Sequence, residues 1–497
     1  MSRRTARTVR GGLAPGGSVP PGRLVLLTVA LVLLGLVPLV PSASAGFRAT
    51  TAAEGSTFYA AESFGIGQNA TASLACANQT GADSCATVQP LDGAWSLAMT
   101  DQHLYVVASL NSATGNAVVG FTRDAASGAL TRVAGTAGCV SYTGAYSCAT
   151  GGLRNPSDLA LSPDGQHVYV AAHASWAVTV LQRNTTTGAI SPVAGTAGCV
   201  SETGKDGGSG ATVICADGRG LYNPSGIAVS PDGQNVYVAS SGTDGGSGSI
   251  TAFQRNATTG VLTQLAGVTG CVSDVAATSC ADGRALVGAF KVEVSPDGKF
   301  VYATARDASA VSTFSRSQVD GGLTQLTGTS GCVRALAGDG CAVGVALDRA
   351  ARMALSDDGL TAYVVATNAD AVAVFDRSTV TGVLTQKTGT AGCWSDTTAG
   401  CTVGKLLDGA TSLAFSPDQE NLYVGAATSK AVHALTRDSQ GRLSQSSATR
   451  ACTTATVVAG CLDARGLTDP MDVIVSPDGK HVYVSNYVGD GITVLIR

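Results

Sequence analysis

Short apolar runs, each bounded by turn residues, recur along most of the chain. Seven of them carry a tyrosine: LYVVAS at Tyr105, VYVAAH at Tyr169, VYVASS at Tyr237, VYATAR at Tyr302, AYVVAT at Tyr363, LYVGAA at Tyr423 and VYVSNY at Tyr483. Branched and aromatic residues between turn signals predict strands. The tyrosines lie 64, 68, 65, 61, 60 and 60 residues apart. Such a period indicates a repeat architecture and outweighs any domain count based on length.

Each tyrosine run keeps the same neighbours. Leu153, Leu221, Leu286, Leu347, Leu407 and Leu467 precede their tyrosines by 16 residues, and Leu91 precedes Tyr105 by 14. Between them lies a Ser-Pro-Asp-Gly turn at 162–165, 230–233, 295–298 and 476–479, with weaker copies at Ser356–Gly359 and Ser416–Gln419. Proline and glycine there separate two antiparallel strands. A third strand then ends in Arg123, Arg183, Arg255, Arg316, Arg377, Arg437 or Arg497. A fourth strand follows in six copies, and residues 67–76 (GQNATASLAC) align with its counterpart at 191–199 (SPVAGTAGC). The pattern predicts an all-β, seven-bladed propeller of four-stranded antiparallel blades, its ring closed by the N-terminal strand. The blades are expected at 91–139, 153–199, 221–271, 286–332, 347–393, 407–452 and 467–497 plus 67–76. An open solenoid is the alternative, but it has no need for an N-terminal segment that completes the last copy.

The clearest copies, 156–172, 224–240 and 470–485, join a strand to Ser-Pro-Asp-Gly and then Val-Tyr-Val. This pattern resembles the YVTN-repeat propellers and the wider lactonase-like seven-bladed propeller family, over most of 91–497. The resemblance implies the fold. It implies no single activity, because that family includes 6-phosphogluconolactonase-type enzymes, cell-surface proteins and members that only bind.

Composition adds a compartment. Residues 1–23 are basic, Leu24 to Val40 is an uncharged apolar run, and Ala43-Ser44-Ala45 follows. This reads as a secretory signal, 1–45, cleaved after Ala45 and leaving 46–497 as one domain. Arg3-Arg4 raises the twin-arginine route, but the strong hydrophobicity favours the general secretory one. Cleavage removes five arginines and no acid, so the net charge moves from −4 to −9. Nucleic acid and anionic membranes are therefore not expected partners. The fourteen cysteines form seven local pairs: Cys76 with Cys85, Cys139 with Cys148, Cys199 with Cys215, Cys271 with Cys280, Cys332 with Cys341, Cys393 with Cys401, and Cys452 with Cys461. In a secreted chain this predicts one disulfide per repeat, in the connection between a fourth strand and the next first strand, on the funnel face. Neither C-x-x-C spacing nor interleaved histidines suggest zinc.

Candidate chemistry lies where the repeats stop agreeing. Five residues after the marker leucine the copies read Ser96, Asp158, Gly226, Lys291, Arg352, Ser412 and Asp472. Two further on, Glu293 stands among Ala98, Ala160, Ala228, Ala354, Ala414 and Ile474. Four residues after the tyrosine, His173, Arg306 and Tyr487 depart from small residues. The functional reading is a charged funnel mouth. Lys291, Arg352, His173, Arg306 and Tyr487 bind a polar ligand, and Glu293, Asp158 and Asp472 are the candidate acids and bases. The competing reading is an ion-pair network that satisfies itself around a wet channel. The loops 201–214 and 240–249 read as tolerated insertions. The arginines ending the third strands recur in every copy, so they read as framework, paired with the turn aspartates.

No phosphate loop, G-x-S-x-G elbow or His-x-x-x-His pair is present. The sequence therefore favours an exported, monomeric binding or interaction scaffold, whose partner at the funnel face is a protein, glycan or small molecule. The alternative is a lactonase opening a cyclic ester in the funnel. No cofactor is expected, and a divalent metal in the funnel belongs only to the alternative.

Overall fold

The computed structural model describes residues 66–109, 115–205, 214–242, 248–275, 279–445, 451–456 and 458–497, and a short pairing of 48–49 with 58–59. The expected signal segment, its cleavage site and most of the two insertions lie outside the described residues. Seven sheets repeat one topology. In blade two, Pro156–Leu161, His167–Ala172 and Ala177–Arg183 run antiparallel from the axis outward. The outer strand is more elaborate than the simple fourth strand expected. It comes in two pieces, Ile190–Pro192 and Cys199–Ser201, both paired with the third strand. A one-turn 3-10 segment, Gly195–Gly198, separates them. After the cysteine loop a two-residue strand, Ala216–Asp217, adds in parallel at the rim.

The last blade closes as expected. Its first three strands, Pro470–Val475, His481–Asn486 and Gly491–Ile496, come from the C-terminal end. Gly67–Gln68 and Cys76–Asn78 pair antiparallel with Gly491–Ile496 and complete its outer edge.

All seven disulfides join the predicted partners, one per blade. Cys139 bonds Cys148, Cys199 bonds Cys215, Cys271 bonds Cys280 and Cys332 bonds Cys341. Cys393 bonds Cys401, Cys452 bonds Cys461, and Cys76 bonds Cys85 in the blade that closes the ring. Their position differs from the simple connection expected. The first cysteine of each pair opens the second outer piece, as Cys199 does. The second cysteine stands immediately before the parallel rim strand: Cys85, Cys148, Cys215, Cys280, Cys341, Cys401 and Cys461 precede Ala86, Ala149, Ala216, Ala281, Ala342, Thr402 and Leu462. Each bridge thus pins a two-residue strand, too short to hold itself, to the blade edge. The partners are 8 to 16 residues apart in sequence. Such bridges persist in oxidising compartments. No helix among the described residues is long and apolar enough to cross a membrane.

The repeated turn does two tasks. In blade two, Asp164 accepts bonds from the Ser162 hydroxyl at 2.6 Å and the Gln166 amide at 3.0 Å, which fixes the turn. Its second oxygen takes Arg255 of blade three at 2.6 Å. Arg255 also donates to the Tyr169 hydroxyl at 2.8 Å, and that hydroxyl donates to the Gly260 carbonyl at 2.9 Å. Burial acts to raise the Asp164 carboxyl, but the bonds from Ser162, Gln166 and Arg255 hold it down at about 2. The same arginine–aspartate contact recurs with Arg123–Asp478, Arg316–Asp232, Arg377–Asp297, Arg437–Asp358 and Arg497–Asp418. The shorter first turn has no aspartate at this position, and Arg183 bonds Thr100 instead.

Gly260 shows why glycine is required after the third strand. Its φ is +74°, and a Cβ there would lie 2.2 Å from the His167 ring. Side chains rarely adopt that backbone, and this one would also collide with the neighbouring blade.

Six of the seven tyrosine hydroxyls donate to such a glycine carbonyl. The exception is Tyr423, whose buried hydroxyl meets no glycine carbonyl and has only the Arg497 guanidinium nearby, outside good hydrogen-bond geometry. Hydrogen bonds involving a charged group contribute roughly 1.5–3 kcal/mol, and an orphaned buried group costs about as much. Tyr237→Phe should therefore lower stability by about 1–3 kcal/mol in denaturant unfolding. Tyr423→Phe should cost under about 0.5 kcal/mol, within the range of neutral substitutions. Equal losses at both positions would contradict the seam.

Candidate functional site

Every first strand carries a β-bulge. Register shifts between Ala94 and Ser96, Pro156 and Asp158, Pro224 and Gly226, Ala289 and Lys291, Ala350 and Arg352, Ala410 and Ser412, and Pro470 and Asp472. A bulge re-aims the side chain at the extra residue. Trp95, Ser157, Ser225 and Phe290 occupy that position in blades one to four, and all four line one cavity.

The residues after the bulge form a separate layer. Lys291 of blade four pairs with Asp158 of blade two. Asp158 accepts from the Ser96 hydroxyl at 2.7 Å and the Ile227 amide at 2.9 Å. Ser96 also donates to Asp472 at 3.1 Å, which accepts from the Leu97 amide at 3.0 Å and pairs with Arg352 at 2.9 Å. Each cation thus reaches past one blade to its acid, and Ser96 joins the two pairs. Past blade three the reach depends on Gly226, where a Cβ would meet the Phe290 carbonyl at 2.5 Å and the Lys291 Cα at 2.7 Å. Asp158 is 1% exposed and Asp472 5%. Two cations and two acids leave the belt neutral, and buried charges of this kind need such pairing.

Glu293 is not part of those pairs. It lies two residues farther along its strand, is half-buried, and makes no hydrogen bond or ion pair among the described residues. Burial raises its carboxyl to about 7, Lys291 opposing and Asp158 adding to the shift. Burial, and then Arg352, lower the Lys291 ammonium despite its bond to Asp158.

The cavity sits where first strands begin and second strands end, with a volume of about 340 Å³. It gathers His173, Arg306 and Tyr487 from the expected residues, but not Lys291, Arg352, Glu293, Asp158 or Asp472. No disulfide cysteine lines it either. Ser109, Ser241, Asn155, Gly288, Asp307 and Arg349 complete the wall. The Arg306 guanidinium lies 3.2 Å from the Phe290 ring centre. Its Nε is buried without a partner, and its side chain makes no ion pair among the described residues. Burial, and then Arg349 and Arg352, pull its pKa down to about 9, with Asp307 opposing. Trp95 meets Tyr487 edge to face at 5.4 Å, and the buried Trp95 Nε1 also lacks an acceptor. His173 is lowered by burial. The bulge residues themselves were missed in the sequence. The signal was the position four after the marker leucine, where two aromatics replace small residues.

The hydroxyls are already engaged. Ser157 donates to the Pro224 carbonyl and Ser225 to the Ala289 carbonyl, both at 2.7 Å, and Ser109 donates to Asn155 at 2.6 Å. Among the described residues, His173 has no hydrogen bond to a hydroxyl or carboxylate, and no group of three His, Cys, Asp or Glu side chains could hold a metal.

Residues 247–335 and 405–496 match the family model described as Lactonase, 7-bladed beta-propeller. The periplasmic gluconolactonase of Pseudomonas aeruginosa is similar in structure, at TM-score 0.50 and 18% identity, over 80% of this chain and 92% of that one. A candidate 6-phosphogluconolactonase from Bacteroides fragilis aligns at TM-score 0.49 and 18% identity, over 76% and 85%. At 18% identity the likeness to the gluconolactonase is one of fold alone. No curated protein matches the chain.

Glu293 generates a pH prediction. The unfolded chain releases its proton near 4.5 and the folded chain near 7. Between the two the folded state binds more protons, so this group lowers stability as pH rises and the loss is complete above about 7. Glu293→Ala should match the parent near pH 4 and exceed it near pH 8, by up to about 3 kcal/mol. Melting curves across that range decide it. A variant weaker than the parent at pH 8 would make Glu293 a needed counter-charge for Lys291.

Proposed function

We propose that this lactonase-like seven-bladed β-propeller is an exported binding protein that takes a small polar ligand in its entrance-face cavity. One observation carries the reading. Aromatic, hydroxyl and cationic side chains from six blades converge on one concavity of ligand size, held by the ends of rigid strands. The seven disulfides support work in an oxidising compartment. Export is consistent with the signal-like segment at 1–45, and a monomer suffices for binding.

Hydrolysis needs more than the cavity supplies. A nucleophile must meet a base, and the base an orienting partner. Ser157 and Ser225 give their protons to backbone carbonyls, and His173 has neither kind of partner among the described residues. The second reading, lactone opening, is favoured by one group. Glu293, with its carboxyl near 7, is poised for proton transfer at neutral pH. It lies three residues down the strand from Phe290, however, roughly 10 Å at the usual rise, with Lys291 of the ion-pair belt between them.

The secreted chain should be screened on a glycan array and against a panel of aldonolactones, with and without divalent cations. Saturable binding without turnover is expected. Lactone opening that rises with a pKa near 7 and disappears in Glu293→Ala would replace the binding reading with the hydrolytic one.

A further inference from the structure

The cavity wall has an excess of donors. Arg306 brings a positive charge with no ion pair closer than 4 Å, Asp307 acting on it only from farther off, and its Nε and the Trp95 Nε1 are buried donors without acceptors among the described residues. A buried cation left unpaired is costly, and stacking on Phe290 offsets only part of that cost. The nearby acids are committed elsewhere. Asp307 is exposed and pairs with Arg349 at 3.8 Å, while Asp158 and Asp472 belong to the belt. Two arginines, Arg306 and Arg349, thus share one exposed acid, Asp307, and the wall keeps a net positive charge. Burial and the neighbouring arginines bring the Arg306 pKa only to about 9, so it keeps its charge at neutral pH.

The hydroxyls define the rest of the ligand. Ser109, Ser157 and Ser225 donate into the protein, so their oxygens retain lone pairs for hydroxyl donors. Resting on the binding reading above, we infer that the ligand is an acidic saccharide with one carboxylate, seated against Arg306. The flat guanidinium, one face covered by Phe290, offers its edge to a planar carboxylate in the two-bond arrangement. Trp95, paired edge to face with Tyr487, presents an aromatic surface for the sugar ring. One net positive charge matches a carboxylate better than a phosphate dianion.

The test uses the secreted chain and three probes: methyl β-D-glucuronide, methyl β-D-glucoside and glucose 6-phosphate. Calorimetry should find the glucuronide bound at least tenfold more tightly than the glucoside, which differs only at the carboxylate. Arg306→Met should bring the glucuronide down to the glucoside's affinity without lowering the melting temperature, because it removes an uncompensated charge. Arg306→Lys keeps the charge without the planar fork and should restore only part of the preference. Trp95→Phe should weaken both methyl glycosides. Equal affinity for glucuronide and glucoside would overturn the carboxylate assignment and leave the binding reading intact. Tighter binding of glucose 6-phosphate would overturn it in favour of a dianion. No binding of any probe, alongside hits on the glycan array that Arg306→Met does not change, would overturn the assignment alone.

Discussion

A guanidinium buried between two blades must find partners, and this requirement organises the ring. The third-strand arginines draw a tyrosine hydroxyl in six blades and, in all blades but the second, an aspartate from the blade before. The aspartate is already held by its own turn, so the turn sequence fixes both a hairpin and a seam. Such bonds depend on direction and distance. The seam therefore sets how far each blade rotates against the next, and with it the positions of the inner strands at the axis.

Those inner strands divide their polar residues by depth. After the bulge, Lys291, Asp158, Ser96, Asp472 and Arg352 satisfy one another and tie five blades across the axis. At the bulge and the strand ends beside it, Trp95 and Arg306 bring donors to the cavity that no described residue satisfies. A layer that balances itself serves as framework, whereas the layer with a net charge is where the proposed ligand would sit. This difference, rather than the amount of charge, separates the two.

The fold was legible because its causes are local and repeated. Strand pattern, turn residues, cysteine pairs and the incomplete last copy all carry one period, and even the pairing of arginines with turn aspartates could be anticipated. The rim strand behind each second cysteine was not, because two residues are too few to show a strand pattern. The bulge was hidden as well, since a one-residue shift in register depends on both strands and leaves no periodic mark. Reading the strand as regular put Lys291, Glu293 and Asp158 together at the funnel mouth. The bulge instead brings Trp95 and Phe290 to the cavity and leaves the charges beneath. His173, Arg306 and Tyr487 were found because each directly follows a second strand, where no bulge intervenes. The reach of Lys291 past Gly226 was hidden for another reason: it joins residues 133 positions apart through a contact that only the closed ring creates.

The central claim is that the belt is framework and the cavity above it is the site. A crystal structure of residues 46–497 soaked with methyl β-D-glucuronide tests it most directly. The account predicts density in the entrance-face cavity, with the carboxylate against Arg306, the sugar ring against Trp95, and Lys291 still on Asp158. Density below the belt, in contact with Glu293 and with Lys291 swung away from Asp158, would contradict it.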